Sequence, residues 1–361
     1  MSPPISVSDK KSCAPSTVAA TAPAVSVVLP ARNAARTLPA AVAGIREQTF
    51  SNWELIVIDD GSTDETATWL TELATAEPRL RIVTQPATGI GAALNAGLAA
   101  ARGEFIARMD ADDEAEPERL AEQAAFLRAA ENQLIGLVSC QVAFGGDRAA
   151  SAGYALHVDW INSLLTPEQI ALNRFVEAPL AHPSVMFRRE LVERHGGYRC
   201  GDFPEDYELW LRWLDAGVRM AKLPGVLLRW NDVPTRLSRV DPRYHPDAFF
   251  RVKAQWIAKE VQRAAGGRGV WIWGAGRHTR KRAAHLETYG VRIAGYVDVD
   301  GKKATPAIGG TGLPVVLWRN LPTPREVFVL GYVSSRGARE FTRTELRARR
   351  HEEGRDFLMC A

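Results

Sequence analysis

From Val25 onward, short apolar runs alternate with amphipathic stretches. Val25-Ser-Val-Val-Leu29, Trp53-Glu-Leu-Ile-Val-Ile58, Arg81-Ile-Val83 and Phe105-Ile-Ala-Arg-Met109 read as strands, and runs without a polar face are buried on both sides. Between them, residues 39–48, 65–76 and 91–101 read as helices, and residues 117–130 place Leu120, Ala124 and Leu127 on one stripe. This alternation predicts an α/β fold with a largely parallel sheet covered by helices on both faces. Residues 131–240 are less regular and hold Glu205-Asp206 at the start of a helix with Leu209, Trp210, Trp213 and Leu214 on its buried side. Residues 241–265 read as a loop and a connecting helix. A second alternating unit begins at Gly269: strand Val270-Trp-Ile-Trp273, a Gly-Ala-Gly turn, helix 279–289, strand 293–297 ending in Asp298, strand 327–330 and helix 337–349.

At 361 residues the chain has room for two domains and a sizeable core. The division expected is a disordered tail over 1–22, a first domain over 23–240, a linker helix over 241–267 and a small Rossmann-like domain over 268–361. A net charge of +3 is too small to argue for nucleic-acid binding, although the arginine-rich stretches 199–282 and 336–355 imply a basic surface in the C-terminal half. Cysteines 13, 140, 200 and 360 show no CxxC spacing, which points to a reduced, cytoplasmic protein without a structural zinc site. No run of about twenty apolar residues exists, so no spanning helix is expected and membrane contact would be peripheral. Lys10 and Lys11 precede an Ala/Thr/Pro stretch without Leu or Phe, which reads as a tail rather than a signal peptide.

Sheets of this kind bind ligands at the carboxyl ends of their strands. Pro30-Ala-Arg-Asn33, Asp59-Asp-Gly-Ser62 and Asp110-Ala-Asp-Asp113 all fall at those ends, which implies one shared polar site. Clustered carboxylates repel unless a cation neutralises them or water solvates them. A divalent metal carrying a diphosphate would serve; the alternative for the cluster alone is an Asp-rich turn that ends a strand.

Val25-Ser-Val-Val-Leu-Pro-Ala-Arg-Asn33, Ile58-Asp-Asp-Gly-Ser62, Ala93-Leu-Asn-Ala-Gly97, Ala107-Arg-Met-Asp-Ala-Asp-Asp113, His182-Pro-Ser184 and Pro204-Glu-Asp206 follow one another in an order that resembles the family 2 glycosyltransferases, over about residues 24–240. The resemblance implies an inverting enzyme of GT-A fold, a nucleotide-sugar donor and a divalent metal, Mn or Mg. By that resemblance Asp60 accepts from a uracil-type N–H, with Asp59 beside it. Pro30, Ala31, Arg32, Asn33, Asn95 and Asp110 line the donor nucleotide. Asp112 is the direct metal ligand, Asp110 its partner nearer the ribose, and Asp113 the member with the least direct role. Asp206 is the base that takes the acceptor's proton. Its place at a helix N-terminus would lower its pKa and weaken it as a base, and the other reading of Asp206 or Glu205 is a helix cap. Glu205 orients or packs. Arg229 and Arg236-Leu-Ser-Arg239 match a region that closes over the diphosphate, and His182 lies near the acceptor side, where a structural histidine is the commoner case. Leu94 stands where many relatives have Arg, which removes one phosphate contact.

Gly274-Ala-Gly276-Arg277-His-Thr279, with Asp298 ending the next strand, is a partial dinucleotide fingerprint with Thr279 in place of the third glycine. It reads either as a phosphate site or as a module without cofactor, and no NAD(P) is assigned. Arg277, Arg280, Lys281 and Arg282 form a basic cluster that suits a phosphate. Trp160-Ile-Asn-Ser-Leu-Leu-Thr-Pro-Glu-Gln169, Trp273-Gly-Ala-Gly276, Val297-Asp-Val-Asp300 and Glu353-Gly-Arg-Asp-Phe357 are similar to the β-1,3-N-acetylglucosaminyltransferase-like type assigned as a queuosine-tRNA galactosyltransferase. The function expected is transfer of a sugar from a UDP-sugar to a hydroxyl of a glycan or glycolipid precursor. The alternatives are a modified tRNA nucleoside as acceptor, or a non-catalytic nucleotide-sugar or NAD(P) binder.

Overall fold

The computed structural model describes residues 22–308 and 312–361; of the expected tail 1–22, all but Ala22 lies outside the described residues. The strands are β1 (Val25–Ala31), β2 (Trp53–Asp60), β3 (Leu80–Gln85), β4 (Phe105–Arg108), β5 (Glu114–Ala115), β6 (Ile135–Gly145), β7 (Met186–Arg188), β8 (Arg219–Asn231), β9 (Gly269–Trp273), β10 (Ile293–Asp298), β11 (Val315–Leu317), β12 (Val327–Gly331) and β13 (Phe357–Met359).

The first eight form one sheet in the order β3-β2-β1-β4-β7-β6-β8-β5. β1 to β4 are parallel, with Val25 opposite both Trp53 and Phe105. β7 runs antiparallel between β4 and β6, so the sheet is largely rather than wholly parallel. Side chains of β1 alternate between layers: Val27 and Leu29 join Leu38 and Ile45 on one face, and Val28 joins Ile58, Ala93 and Leu94 on the other. That is why β1 shows no polar period. Helix Ile90–Ala100 lies close to the sheet, because a Cβ on Gly97 would stand 2.5 Å from Val28 Cγ1 and 2.7 Å from Ile58 Cδ1.

The order reverses between β1 and β4, which leaves a crevice beyond their carboxyl ends. Pro30–Asn33 and Asp110–Asp113 flank it. The irregular middle of the sequence contains β6 and β8, paired in parallel with register shifts around Gln141, where β8 carries Pro224 and Gly225.

The second sheet is parallel throughout, in the order β11-β10-β9-β12-β13. Helix Pro246–Ala264 connects the two sheets and packs against helix Glu205–Asp215. The helix expected over 279–289 is instead an α-helix, Arg277–Ala283, followed by 3-10 turns. There Thr288 Oγ1 donates to the carbonyl of His285 at 2.7 Å, a side-chain competition that works against regular helix. Among the described residues no helix is long and apolar enough to cross a membrane, and Cys140, Cys200 and Cys360 are free thiols.

Candidate active site

A cavity of about 860 Å³ opens at the carboxyl edge of the first sheet. Pro30, Ala31, Arg32 and Asn33 line one side, and Asn33 takes a left-handed φ of 51°, which Asn tolerates better than most residues. Asn33 Oδ1 accepts from Thr63 N at 2.8 Å, and Asn33 N donates to Ser62 Oγ at 3.0 Å, so the β1 and β2 turns brace each other. Asp59 is buried and accepts from Ser62 N at 3.0 Å; it shapes the turn and does not line the cavity. Asp60 does line it. Asp60 Oδ1 accepts from Gln85 Nε2, Thr88 N and Thr88 Oγ1, while Oδ2 accepts only from Gly89 N at 2.9 Å. Burial alone would raise its pKa, but these donors hold it below the usual carboxylate value. One acceptor direction on Oδ2 remains for a ligand donor.

Asp110, Asp112 and Asp113 bring carboxylate oxygens within 4.8 Å of one another. Asp113, expected to have the least direct role, is the one fully buried member of the three. Its Oδ1 accepts from Asn231 N at 2.8 Å, and its Oδ2 has no partner. Asn231 also donates from Nδ2 to the carbonyl of Asp112 at 2.9 Å, so the end of β8 clasps the turn. Burial, and then the charge of Asp110, push Asp112 up to about 6 and Asp113 well above the ordinary range. An oxygen-only set with an orphaned buried carboxylate oxygen suits a hard divalent cation, so the residues present fit a metal.

Two arginines counter the cluster. Arg108, buried at the end of β4, has Nη1 2.5 Å from Asp110 Oδ1. Arg236 lies with its guanidinium carbon 4.3 Å from the Trp230 ring centre and 5.3 Å from that of Tyr154, within the electrostatic reach of all three aspartates. Arg108 was not singled out from the sequence, because an Arg inside an apolar run reads as a strand edge. Arg229 is exposed and reaches only Asn231 Oδ1, at 3.1 Å. The alternation along β8 sends Trp230 inward and Arg229 outward.

Across the cavity, Asp206 sits in the first turn of helix Glu205–Asp215 and accepts from Tyr207 N at 2.7 Å. The helix N-terminus was expected to lower its pKa. Instead burial, and then the adjacent charge of Glu205, raise it to about 7, a value suited to a base near neutral pH. Asp206 nevertheless lines the cavity. Glu205 is buried and accepts from Tyr244 Oη at 2.9 and 2.8 Å. His182 lines the cavity, but its Nε2 is 2.7 Å from Tyr198 Oη, and burial, then Arg108, depress its pKa well below the usual value; it is a neutral structural ring.

Asn95 is elsewhere. Its Nδ2 donates to the Tyr198 carbonyl at 2.8 Å and its Oδ1 accepts from Tyr198 N at 2.9 Å, so both ends of the amide are engaged away from the cavity. Leu94 is fully buried in the core. In the second sheet, Asp298 accepts from Ala275 N at 3.0 Å, Asp300 N at 3.0 Å and Lys303 Nζ at 3.1 Å. The carboxylate that a dinucleotide ribose would need is thus bound by the protein, while Gly274 keeps a left-handed φ of 116° and Gly276 faces open space.

The sequence model described as Glycosyl transferase family 2 matches residues 26–196. The chain is similar to "Putative glycosyltransferase EpsE" of Bacillus subtilis (strain 168), with 32% identity over 213 residues, 57% of this chain and 72% of that protein. It is also similar to "O-antigen biosynthesis glycosyltransferase WbnJ" of Escherichia coli, with 29% identity over 57% of this chain and 78% of that protein. In fold it is similar to the crystal structure of S. aureus TarS 1–349 in complex with UDP-GlcNAc, with a TM-score of 0.53 and 19% identity over 73% of this chain and 71% of that one.

Proposed function

We propose, from the premise that the chain belongs to glycosyl transferase family 2, that this glycosyltransferase moves a sugar from a UDP-sugar to a hydroxyl of a saccharide acceptor, with inversion at the anomeric carbon. The observation that carries the reading is a single cavity that gathers Asp60, Asp110, Asp112 and Asp206 from three separate stretches of chain. The crystal structure of TarS with UDP-GlcNAc supports the choice of donor, and the name of the O-antigen relative supports a saccharide acceptor. No feature of the cavity favours a modified tRNA nucleoside, and the engaged Asp298 disfavours NAD(P) in the second sheet.

In this reading the free acceptor direction of Asp60 Oδ2 takes the base N–H, and Pro30–Asn33 bound the nucleoside. Asp112 and Asp113, with Asp110 beside them, would hold a divalent metal, Mn or Mg, which spreads the charge that develops on the departing diphosphate. Arg108 pairs with Asp110, and Arg236 offers guanidinium donors to phosphate oxygens. Asp206 receives the proton of the acceptor hydroxyl as that oxygen bonds to the anomeric carbon. The bond from that carbon to the diphosphate oxygen breaks on the opposite face, and the nucleoside diphosphate leaves with the electron pair. Because Asp206 lies near 7, it is substantially ionised at neutral pH yet basic enough to accept a proton.

The test is metal-dependent release of UDP and transfer of sugar across a panel of UDP-sugars and saccharide acceptors. Asp206→Asn should lower transfer by about 10²–10⁴-fold, and transfer at the parent rate by that variant would remove Asp206 from the mechanism.

A further inference from the structure

Beyond Asp206 the cavity continues to a wall contributed by the chain that follows the first sheet. Tyr207, next to the proposed base, packs on Phe249 of the connecting helix with ring centres 5.4 Å apart. Phe250 and Lys253 of that helix also line the cavity, together with Arg282. Of the four basic residues clustered at 277–282, only Arg282 lines it. Arg277 is exposed, Arg280 Nη1 donates back to the Ala275 carbonyl at 2.7 Å, and Lys281 pairs with Asp247 at 2.9 Å. Arg282 is left 3.9 Å from that already engaged Asp247.

Arg282 and Lys253 meet at one ring: the guanidinium carbon lies 4.3 Å, and the ammonium 3.9 Å, from the centre of Phe250. Lys253 is 2% exposed and donates to the carbonyls of Phe175 and Val176 at 2.8 and 3.4 Å. That leaves one of its three N–H donors without a protein acceptor, and Lys253 is in no ion pair among the described residues. Glu177, the other acid of this wall, is 2.6 Å from His157 Nδ1 and 3.6 Å from Arg339. Among the described residues Lys253 has no carboxylate at ion-pair distance, and Arg282 has only the long contact to Asp247, which already pairs with Lys281, an arrangement that an incoming anion relieves. Burial, first of all, depresses the Lys253 ammonium to about 7, with Cys360 and Glu177 opposing it only in part.

We propose that this lobe binds a phosphate group of the acceptor, Arg282 and the third donor of Lys253 being its ligands, so that the acceptor is a phosphorylated saccharide; the assignment of this side to the acceptor rests on the glycosyltransferase reading above. The two cations and the base lie on consecutive walls of one cavity, so the phosphate would orient the hydroxyl toward Asp206.

The test is calorimetric titration of inorganic phosphate into the full-length protein saturated with UDP and Mg, so that the donor side is filled. One phosphate site is expected, weakened roughly tenfold or more in Arg282→Gln and in Lys253→Met and retained in Lys259→Ala, a surface lysine on the same helix paired with Asp215. Should Lys253→Met fold poorly by circular dichroism, Arg282, whose side chain is 24% exposed, carries the test alone. Methyl phosphate and dimethyl phosphate then separate a terminal phosphate from a bridging one: preference for the monoester assigns the first, and equal binding the second. UDP binding without any phosphate site, or a phosphate site untouched by Arg282→Gln, overturns the proposal. Failure of UDP itself to bind overturns the donor reading instead.

Discussion

Replacing Glu205 by Gln asks whether one carboxylate sets the working pH of its neighbour. Asp206 lies near 7 because it is buried and, next, because Glu205 stands beside it. The Glu205 carboxyl is itself raised, mainly by burial, against the opposing effect of Tyr244, and carboxyls coupled this closely titrate as a pair. Gln keeps the size of the side chain, and its amide oxygen can still accept from Tyr244 Oη, but the negative charge is gone. Asp206 should then ionise more readily. A fall of one unit corresponds to about 1.4 kcal/mol. With a pKa near 7, about 9% of the base is ionised at pH 6; with one near 6, about half is, so the share of plateau activity at pH 6 should rise roughly fivefold. The assay is kcat/KM for transfer across about pH 5 to 9, each variant normalised to its own plateau, with Asp206→Asn as the profile that lacks this limb. An acid limb that stays in place, or moves to higher pH, in Glu205→Gln refutes the charge-coupling account.

Three further outcomes follow from the geometry. Asp112 is raised to about 6 by burial and then by Asp110, so the folded state binds its proton more tightly than the unfolded one; this contribution to stability is full below about pH 4 and lost as pH rises through about 6. Mn should therefore raise the melting temperature more near pH 7.5 than near pH 5, and an equal gain at both, read by scanning fluorimetry, would contradict a carboxylate metal site. Gly97→Ala should destabilise the protein by about 1–3 kcal/mol in denaturant titrations, because the added methyl meets Val28 and Ile58 at 2.5 and 2.7 Å. Asn95→Ala should lower stability by about 1–3 kcal/mol through loss of both Tyr198 hydrogen bonds while leaving UDP affinity unchanged; a tenfold loss of UDP affinity in a folded variant would return Asn95 to the donor side.

The strands that bound the site were legible because β1 and β2 are buried on both faces and leave no polar interruption. β6 and β8 were not, since β8 carries Lys222, Pro224 and Gly225 inside a strand. There, tertiary pairing holds a segment that local propensity would break. Lys222 is tolerated because its ammonium donates to the carbonyls of Ile161 and Pro179. That Asp60, Asp110, Asp112 and Asp206 line one cavity was reachable from the sequence because each sits at the end of an element on the same side of the fold. Arg108 and Asp113 were harder, because what distinguishes them is burial. A buried charge next to a cluster of opposite sign becomes visible only once the chain is folded. Asn95 illustrates the opposite error: a polar residue in a shared motif, engaged by a backbone 103 positions away.

The contact between Tyr207 and Phe249 also bears on heredity. The strand ends Asp60 and Asp110–Asp112, which line the cavity, belong to one contiguous stretch of the gene, whereas Phe249, Phe250, Lys253 and Arg282 are encoded further on and meet the first stretch through that aromatic contact, the Lys253 hydrogen bond to Phe175 and ion pairs such as Arg174–Glu260. Exchange of the later stretch between related genes would have to re-fit only this set of contacts, so that recombination could change the far wall of the cavity while leaving the aspartates at the strand ends unchanged.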